Sequence, residues 1–272
     1  MRRAARLCVV AVSLALLLAA CGGGAEEPAS PQEATTDGGA SASAAALSGE
    51  LTVFAASSLT DAFEAIGEQF TQANPDVEMV FNFASSSTLA SQIVEDGAPA
   101  DVFASANQTQ MDVVDEAGLL AVESQTLTGN TLEIAVEAGN PLNIQSLKDL
   151  ARPDVTTVLG AEEVPAGDYA RQALDEAGVH VEPVSLEVDV RAVLSRVELG
   201  EADAGIVYAS DVVAAGDAVG AVPIPHEQSV PASYPIAALT EAPNPQAAGA
   251  FVAYLLSDEA QATLTESGFS AP

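Results

Sequence analysis

The stretch FNFASSSTLASQI, from Phe81 to Ile93, joins a strand pattern to a helical pattern through three consecutive serines. Phe81 and Phe83 alternate with polar Asn82, which is typical of a strand, whereas Leu89 and Ile93 are spaced as on one face of a helix. Serine is a weak helix former but a favoured N-cap, because its hydroxyl accepts from free N–H groups of the first turn. One serine is enough for a cap. Three hydroxyls at one helix start are either ordinary capping groups or donors for something bound there.

Strand and helix patterns alternate from Glu50 onward, which predicts an α/β fold with mixed sheets covered by helices. The strand pattern near Thr131 predicts that the chain leaves the first αβ unit there, and the strand pattern near Tyr234 predicts that it returns. We therefore expect two lobes, two hinge segments and a cleft between the lobes. The first lobe is predicted to comprise residues 49–130 and 234–272, and the second residues 131–233. Strand patterns cover residues 51–55, 77–83, 101–104, 131–136, 155–159, 204–208 and 234–239, and helical patterns residues 59–70, 89–94, 168–177, 189–199 and 246–266.

The N-terminus has the organisation of an export signal. Basic residues at positions 2, 3 and 6 precede an apolar run from Leu7 to Leu18 that is too short to span a bilayer. Leu18-Ala19-Ala20-Cys21 then resembles the lipobox of bacterial lipoproteins, so residues 1–21 are predicted to be a lipoprotein signal peptide ending at an acylated Cys21. Residues 22–48 lack periodicity and are predicted to be a flexible tether. The alternative is an ordinary secretory signal with an incidental cysteine.

This leader predicts a lipid-anchored protein of the cell membrane that faces the extracytoplasmic or periplasmic side. It also removes disulfides from consideration, because the two cysteines of the chain are Cys8, inside the leader, and the lipidated Cys21.

The composition argues against several classes of partner. The formal net charge is −31, so there is no basic patch for nucleic acid. Aromatic residues make up 4% and tryptophan is absent, which argues against a base-stacking platform or an aromatic sugar-binding cleft. A chain this acidic repels anions at long range, so any anion site must be built locally.

Four predicted helix starts offer such a local site. They lie at Ala56–Ser58, Ser85–Ser87, Val164–Gly167 and Glu187–Val190, each after an apolar strand. A helix start exposes up to four unpaired N–H groups and the positive end of the helix dipole. Turned into one cleft, these starts would bind an anion without lysine or arginine, with hydroxyls from the serines and from Tyr208.

Six segments resemble the periplasmic molybdate-binding proteins of ABC molybdate importers, in the order of that family and over essentially all of residues 50–269. They are FAASSLT (54–60), FASSSTL (83–89), GAPADVF (97–103), VPAG (164–167), DVR (189–191) and GIVYASD (205–211). The resemblance implies a type II periplasmic-binding fold with an oxyanion held between the lobes.

Residue by residue, the resemblance implies five contacts with the oxyanion. Hydroxyls come from Ser58, Ser86 and Tyr208, and backbone N–H groups from Ala166 and Val190. It further implies capture of molybdate or tungstate and delivery to the permease subunits of an ABC importer. We expect a monomer without a cofactor, without a cation site and without a nucleic-acid partner.

Two other functions remain alternatives. The same fold could bind sulfate or phosphate, although monoprotonated phosphate needs an acceptor for its own proton. A serine-dependent enzyme is more remote, because no G-x-S-x-G elbow occurs and His180 and His226 lie outside any motif. Among nearby residues, Asp101 is expected to fix a turn, and Arg191 could add positive potential near the site.

Replacement of Cys21 by serine should block acylation. The Cys21→Ser protein is expected to appear in the soluble fraction or to keep its signal peptide, whereas the wild-type protein should sediment with membranes. Fractionation and intact-mass measurement test this, with Cys8→Ser as the control. Normal processing and unchanged membrane association of Cys21→Ser would contradict the lipoprotein assignment.

Overall fold

A computed structural model describes residues 46–272, so the predicted signal peptide, Cys21 and nearly all of the predicted tether lie outside the described residues. In that part of the chain, no helix combines the length and apolarity needed to cross a bilayer. The strands are β1 (Gly49–Ala56), β2 (Val77–Ala84), β3 (Val102–Ala104), β4 (Gln125–Asn130), β5 (Leu132–Glu137), β6 (Thr157–Gly160), β7 (Ser185–Glu187), β8 (Ala204–Tyr208), β9 (Val219–Pro223) and β10 (Ala232–Ala238). The α-helices are α1 (Thr60–Ala73), α2 (Ser86–Val94), α3 (Gln108–Glu116), α4 (Pro165–Glu176), α5 (Val190–Glu198), α6 (Ala209–Ala215), α7 (Pro245–Leu255) and α8 (Asp258–Glu266).

The strands form two five-stranded mixed sheets. The first has the order β2-β1-β3-β10-β4, and the second has the order β7-β6-β8-β5-β9. In the first sheet β1 is parallel to β2 and β3, whereas β10 is antiparallel to β3 and β4. In the second sheet β6 is parallel to β7 and β8, whereas β5 is antiparallel to β8 and β9.

The chain passes between the sheets twice. It leaves the first sheet between β4 and β5, at Thr131, and it returns between β9 and β10. The predicted fold class, a two-lobe α/β protein with helix-flanked mixed sheets, is confirmed. The residue limits of the lobes stay a prediction, although both crossings fall within a few residues of them.

Helix α1 shows why the apolar spacing in the sequence places the helices on the sheets. Phe63, Ile66 and Phe70 recur at helical spacing and are buried. The rings of Phe63 and Phe70 contact Phe251 of α7 edge-on, with centroids 6.3 and 5.1 Å apart. These contacts hold α1 against α7, and α1 begins directly after the turn that contains Ser58.

The C-terminal helix predicted over residues 246–266 is wrong in one respect, because it is two helices. Helix α7 ends at Leu255, and Ser257 begins α8 by accepting a hydrogen bond from Ala260 N–H. Asp258 and Glu259 then favour a new helix start, since acidic side chains stabilise the first turn.

Asp101 has the structural role expected from the sequence. Its carboxylate is 1% exposed and accepts from the backbone N–H of Thr52 (2.7 Å) and of Asn244 (2.6 Å). Asn244 in turn caps α7. One carboxylate therefore joins β1, the turn before β3 and the start of α7.

Replacement of Asp101 by asparagine should destabilise the fold. The side-chain amide can accept only one of the two hydrogen bonds, and a bond to a charged group contributes about 1.5–3 kcal/mol. We expect a loss of that size in the free energy of unfolding, measured by urea denaturation. The control is Asp115→Asn, since Asp115 is exposed on α3 and carries the same charge. Equal stability of the two variants would contradict the structural role.

Candidate functional site: a donor-lined cavity between the lobes

The five predicted ligand residues line one small cavity. Ser58 and Ser86 belong to the first lobe, and Ala166, Val190 and Tyr208 to the second. The cavity volume is about 10 Å³, far below the roughly 300–1,000 Å³ typical of pockets for drug-sized ligands. The remaining lining residues are Ala56, Ser57, Ser85, Ala106, Val164 and Pro165.

The three serines of the opening stretch have different roles. Ser85 is the N-cap of α2, and its hydroxyl accepts from Thr88 N–H and contacts the Ser87 hydroxyl. Ser86 is 1% exposed, and its Oγ accepts from Ala106 N–H at 2.9 Å. Because Ser86 Oγ accepts from Ala106, its own proton is available for an acceptor in the cavity. Ala106, which the sequence did not single out, thereby orients this hydroxyl.

Ser58 is supported by a second buried hydroxyl. Ser58 Oγ lies 2.8 Å from the phenol oxygen of Tyr234, which belongs to β10. If Tyr234 donates in this contact, the proton of Ser58 Oγ is left for an acceptor in the cavity, which Ser58 lines. Burial raises the pKa of the Tyr234 phenol above its ordinary value, so the phenol stays protonated and remains a donor.

Tyr208 has a donor without a partner. Its side chain is 1% exposed, and among residues 46–272 its phenol oxygen has no hydrogen-bond partner. Burial raises the pKa of this phenol well above its ordinary value, so it stays protonated. A buried polar group without a partner costs about 1–3 kcal/mol. A hydroxyl left unpaired beside a cavity is therefore positioned for a ligand.

The second lobe adds two helix starts. In α4, Pro165 occupies the first turn and no described side chain caps the helix, so the Ala166 N–H is not taken by a cap. In α5, the Asp189 carboxylate accepts from Ala192 N–H at 2.9 Å, which leaves the Val190 N–H at the cavity. Both N–H groups lie at the positive end of a helix dipole.

Close packing fixes the path into α4. A Cβ on Gly167 would lie 2.0 Å from the carbonyl oxygen of Ala161 and 2.4 Å from that of Gly160. Only glycine lets the loop after β6 approach the helix this closely.

The lining contains donors but no ionisable acid or base other than the Tyr208 phenol, within the described residues. It has no lysine, arginine or histidine to carry positive charge, and no carboxylate to accept a proton from a ligand. Hydroxyl protons and helix N–H groups favour a small anion, and the missing acceptor favours one that carries no proton of its own.

Comparison with known proteins identifies the family of this chain. Residues 51–270 match the family described as bacterial extracellular solute-binding protein. The chain belongs to this family.

Relatives of this solute-binding protein include the molybdate-binding protein ModA of Mycobacterium tuberculosis, which is 44% identical over 222 residues, covering 82% of this chain and 85% of the relative. The molybdate-binding protein ModA of Escherichia coli is 37% identical over 234 residues, covering 82% and 89%. Among solved structures, the periplasmic molybdate-binding protein of Azotobacter vinelandii superposes with a TM-score of 0.73 at 21% identity, covering 82% of this chain and 99% of that one. The family resemblance read from the sequence is therefore confirmed.

The other candidate residues of this solute-binding protein lie outside the cavity. Arg191 forms ion pairs with Asp61 and Asp211. His180 lines a groove on the second lobe, and His226 lines a different cavity near Glu133. In residues 46–272, no group of three or more histidine, cysteine, aspartate or glutamate side chains is arranged to hold a metal ion.

Replacement of Gly167 by alanine should disturb the cavity, because the added Cβ collides with backbone and cannot be relieved by a rotamer change. We expect a loss of stability at or above the upper end of the about 1–3 kcal/mol typical of overpacking. Thermal unfolding of the purified protein measures it.

The matched control is Gly249→Ala. Gly249 also lies in a helix, but a Cβ there meets open space, so this variant should be neutral or more stable by up to about 1 kcal/mol. Equal melting temperatures of the two variants would contradict the close packing.

Proposed function

We propose that this protein captures molybdate, and also tungstate, outside the cytoplasm and delivers it to the permease subunits of an ABC importer. In this proposal it is a lipid-anchored monomer that binds one oxyanion between its lobes and carries out no chemical reaction. Two relatives named as molybdate-binding proteins, 44% and 37% identical over most of their length, support it.

The observation that carries the proposal is the donor-only lining, with the unpartnered Tyr208 phenol as its clearest member. Molybdate and tungstate are fully deprotonated dianions near neutral pH, so every oxygen can accept a hydrogen bond. Monoprotonated phosphate would place its own proton against donors, because no carboxylate lines the cavity. The remaining competitor is sulfate, which has the same charge and shape.

Size separates sulfate from molybdate. The central atom of molybdate or tungstate is larger, so its oxygens reach further out. If the donors are rigid and spaced for the oxygens of molybdate, some of them stay unpaired around the smaller sulfate. Each unpaired donor lowers the binding free energy by about 1–3 kcal/mol. Two or three such losses correspond to several orders of magnitude in affinity.

Isothermal titration of the full-length protein should therefore show tight binding of molybdate and tungstate, which compete for one site per chain. Sulfate and phosphate in large excess should displace neither. If sulfate competed on equal terms, the molybdate proposal would fail and a general oxyanion binder would remain. If no oxyanion bound, the whole proposal would fail.

The hydroxyl assignments are tested by pairs of neighbouring serines. Ser58→Ala and Ser86→Ala should each weaken molybdate binding about tenfold to a hundredfold, because a hydrogen bond to a charged group contributes about 1.5–3 kcal/mol. Tyr208→Phe should have an effect of the same size without loss of stability, since its hydroxyl has no partner among the described residues.

The controls are Ser57→Ala and Ser87→Ala. Ser57 also lines the cavity, but the family resemblance places the contact on Ser58. The Ser87 hydroxyl contacts Ser85 within the turn, and Ser87 does not line the cavity, so its loss should change affinity far less. If Ser57 and Ser87 proved to be the sensitive pair, the residue assignment would be wrong even with molybdate as the ligand.

A further inference from the structure

Arg191 joins the two lobes beside the cavity. It is the second residue of α5, and its Nη2 forms an ion pair with Asp61 of α1, which belongs to the first lobe. Its Nε lies 3.1 Å from Oδ1 of Asp211, which belongs to α6 of the second lobe, but the two atoms are not aligned for a hydrogen bond. One guanidinium therefore bridges a carboxylate from each lobe.

The two carboxylates differ in how firmly they are held. Asp211 is fully buried, and its Oδ2 accepts from Tyr208 N–H at 3.0 Å. Burial raises the pKa of Asp211 to about 7, and the positive charge of Arg191 opposes that rise. The Asp61 side chain is 56% exposed. Asp211 is thus fixed within the second lobe, whereas Asp61 is the exposed partner of the guanidinium on the first lobe.

Arg191, Asp61 and Asp211 each lie within three residues of a cavity residue along the chain. Arg191 directly follows Val190, and Asp211 comes three residues after Tyr208, whose N–H it accepts from. Asp61 comes three residues after Ser58. The trio lies outside the cavity lining but is attached to residues that form it on both lobes.

We propose that Arg191 is a positioning residue that latches the lobes together over the bound oxyanion through its ion pair with Asp61. This inference rests on the proposed function and adds to it a residue that does not touch the ligand. It assigns the rate of ligand release, rather than ligand recognition, to the Asp61–Arg191 pair.

The direction of the effect distinguishes a latch from simple electrostatics. Asp61→Asn removes a negative charge near an anion site, so long-range electrostatics alone would strengthen binding. Loss of a latch would instead speed release. Glu64→Gln is the matched control, because Glu64 is exposed on the same helix and the change removes the same charge.

The first measurement follows release of radiolabelled molybdate from the full-length protein into an excess of unlabelled molybdate. We expect release from Asp61→Asn to be about two- to fivefold faster than from wild type, the range for a partly exposed ion pair. Glu64→Gln should release at the wild-type rate or more slowly. Unchanged or slower release from Asp61→Asn would overturn the proposal.

Variants of Arg191 test whether the latch needs only a positive charge at this position or the guanidinium group itself. Arg191→Gln should release molybdate faster than Asp61→Asn does, and Arg191→Lys should restore part of the slow release because it keeps a cation at this place. Arg196→Gln is the control on the same helix, since Arg196 pairs with Glu187 and Glu201 of its own lobe. Faster release from Arg196→Gln equal to that from Arg191→Gln would point to general damage to α5 and overturn the latch.

A measurement without added oxyanion keeps the test independent of ligand identity. Hydrogen–deuterium exchange should be faster in Asp61→Asn than in Glu64→Gln for peptides covering residues 86–89 and 190–193, which begin at the cavity residues Ser86 and Val190. If the wild-type protein failed to bind molybdate, but exchange were still faster in Asp61→Asn than in Glu64→Gln, the proposed function would fail and the latch would stand. Equal exchange in both variants would overturn the latch whether or not molybdate binds.

Discussion

An anion in a closed cleft needs hydrogen-bond donors on every side, and this chain has few cations to offer. Its net charge is −31, and Arg191, the basic residue next to the cavity along the chain, is already paired with two carboxylates. Stabilisation must therefore come from neutral donors: first-turn N–H groups, serine hydroxyls and a buried phenol. Such donors are strong in a desolvated cleft and need no reorganisation when the anion arrives.

This requirement accounts for the architecture. Ligands of open α/β sheets bind beyond the carboxyl ends of the strands, where helices begin. Here each cavity residue follows or ends such a strand, and the two sheets supply donors from opposite sides. The mixed sheets matter as well, because antiparallel β10 carries Tyr234 behind Ser58. The last residue of the strand before each cavity residue is Ala56 for Ser58, Ala84 for Ser86, Gly160 for Ala166 and Glu187 for Val190, and Tyr208 is itself the last residue of β8.

Much of this could be predicted from the sequence, for identifiable reasons. Long apolar runs and helical spacing located β1, β2, β8, α1 and α5, because their buried faces are continuous. Short or polar elements such as β4, β7 and β9 escaped notice, since their strand character depends on pairing with neighbours rather than on their own residues. The break at Ser257 was missed because a capping serine resembles any other polar residue on an exposed face.

For the site, the sequence predicted the residues that line the cavity but not the residues that orient them. The family motifs named five residues, and the structure brings all five to one cavity. The partners that orient them were not visible in the sequence: Tyr234 lies 176 residues from Ser58, and Ala106 lies 20 residues from Ser86. Such contacts follow from sheet order and register, which motif spacing does not contain. Asp61 and Asp211, which hold Arg191, were missed for the same reason.

The central claim is that five donors from both lobes hold one oxyanion. A crystal structure of the protein grown with molybdate, with anomalous data collected at the molybdenum edge, tests it most directly. The account predicts one strong molybdenum peak per chain, with oxygens about 2.5–3.2 Å from Ser58 Oγ, Ser86 Oγ, Tyr208 OH and the backbone nitrogens of Ala166 and Val190. A peak elsewhere, or molybdate held mainly by the Arg191 guanidinium, would contradict it.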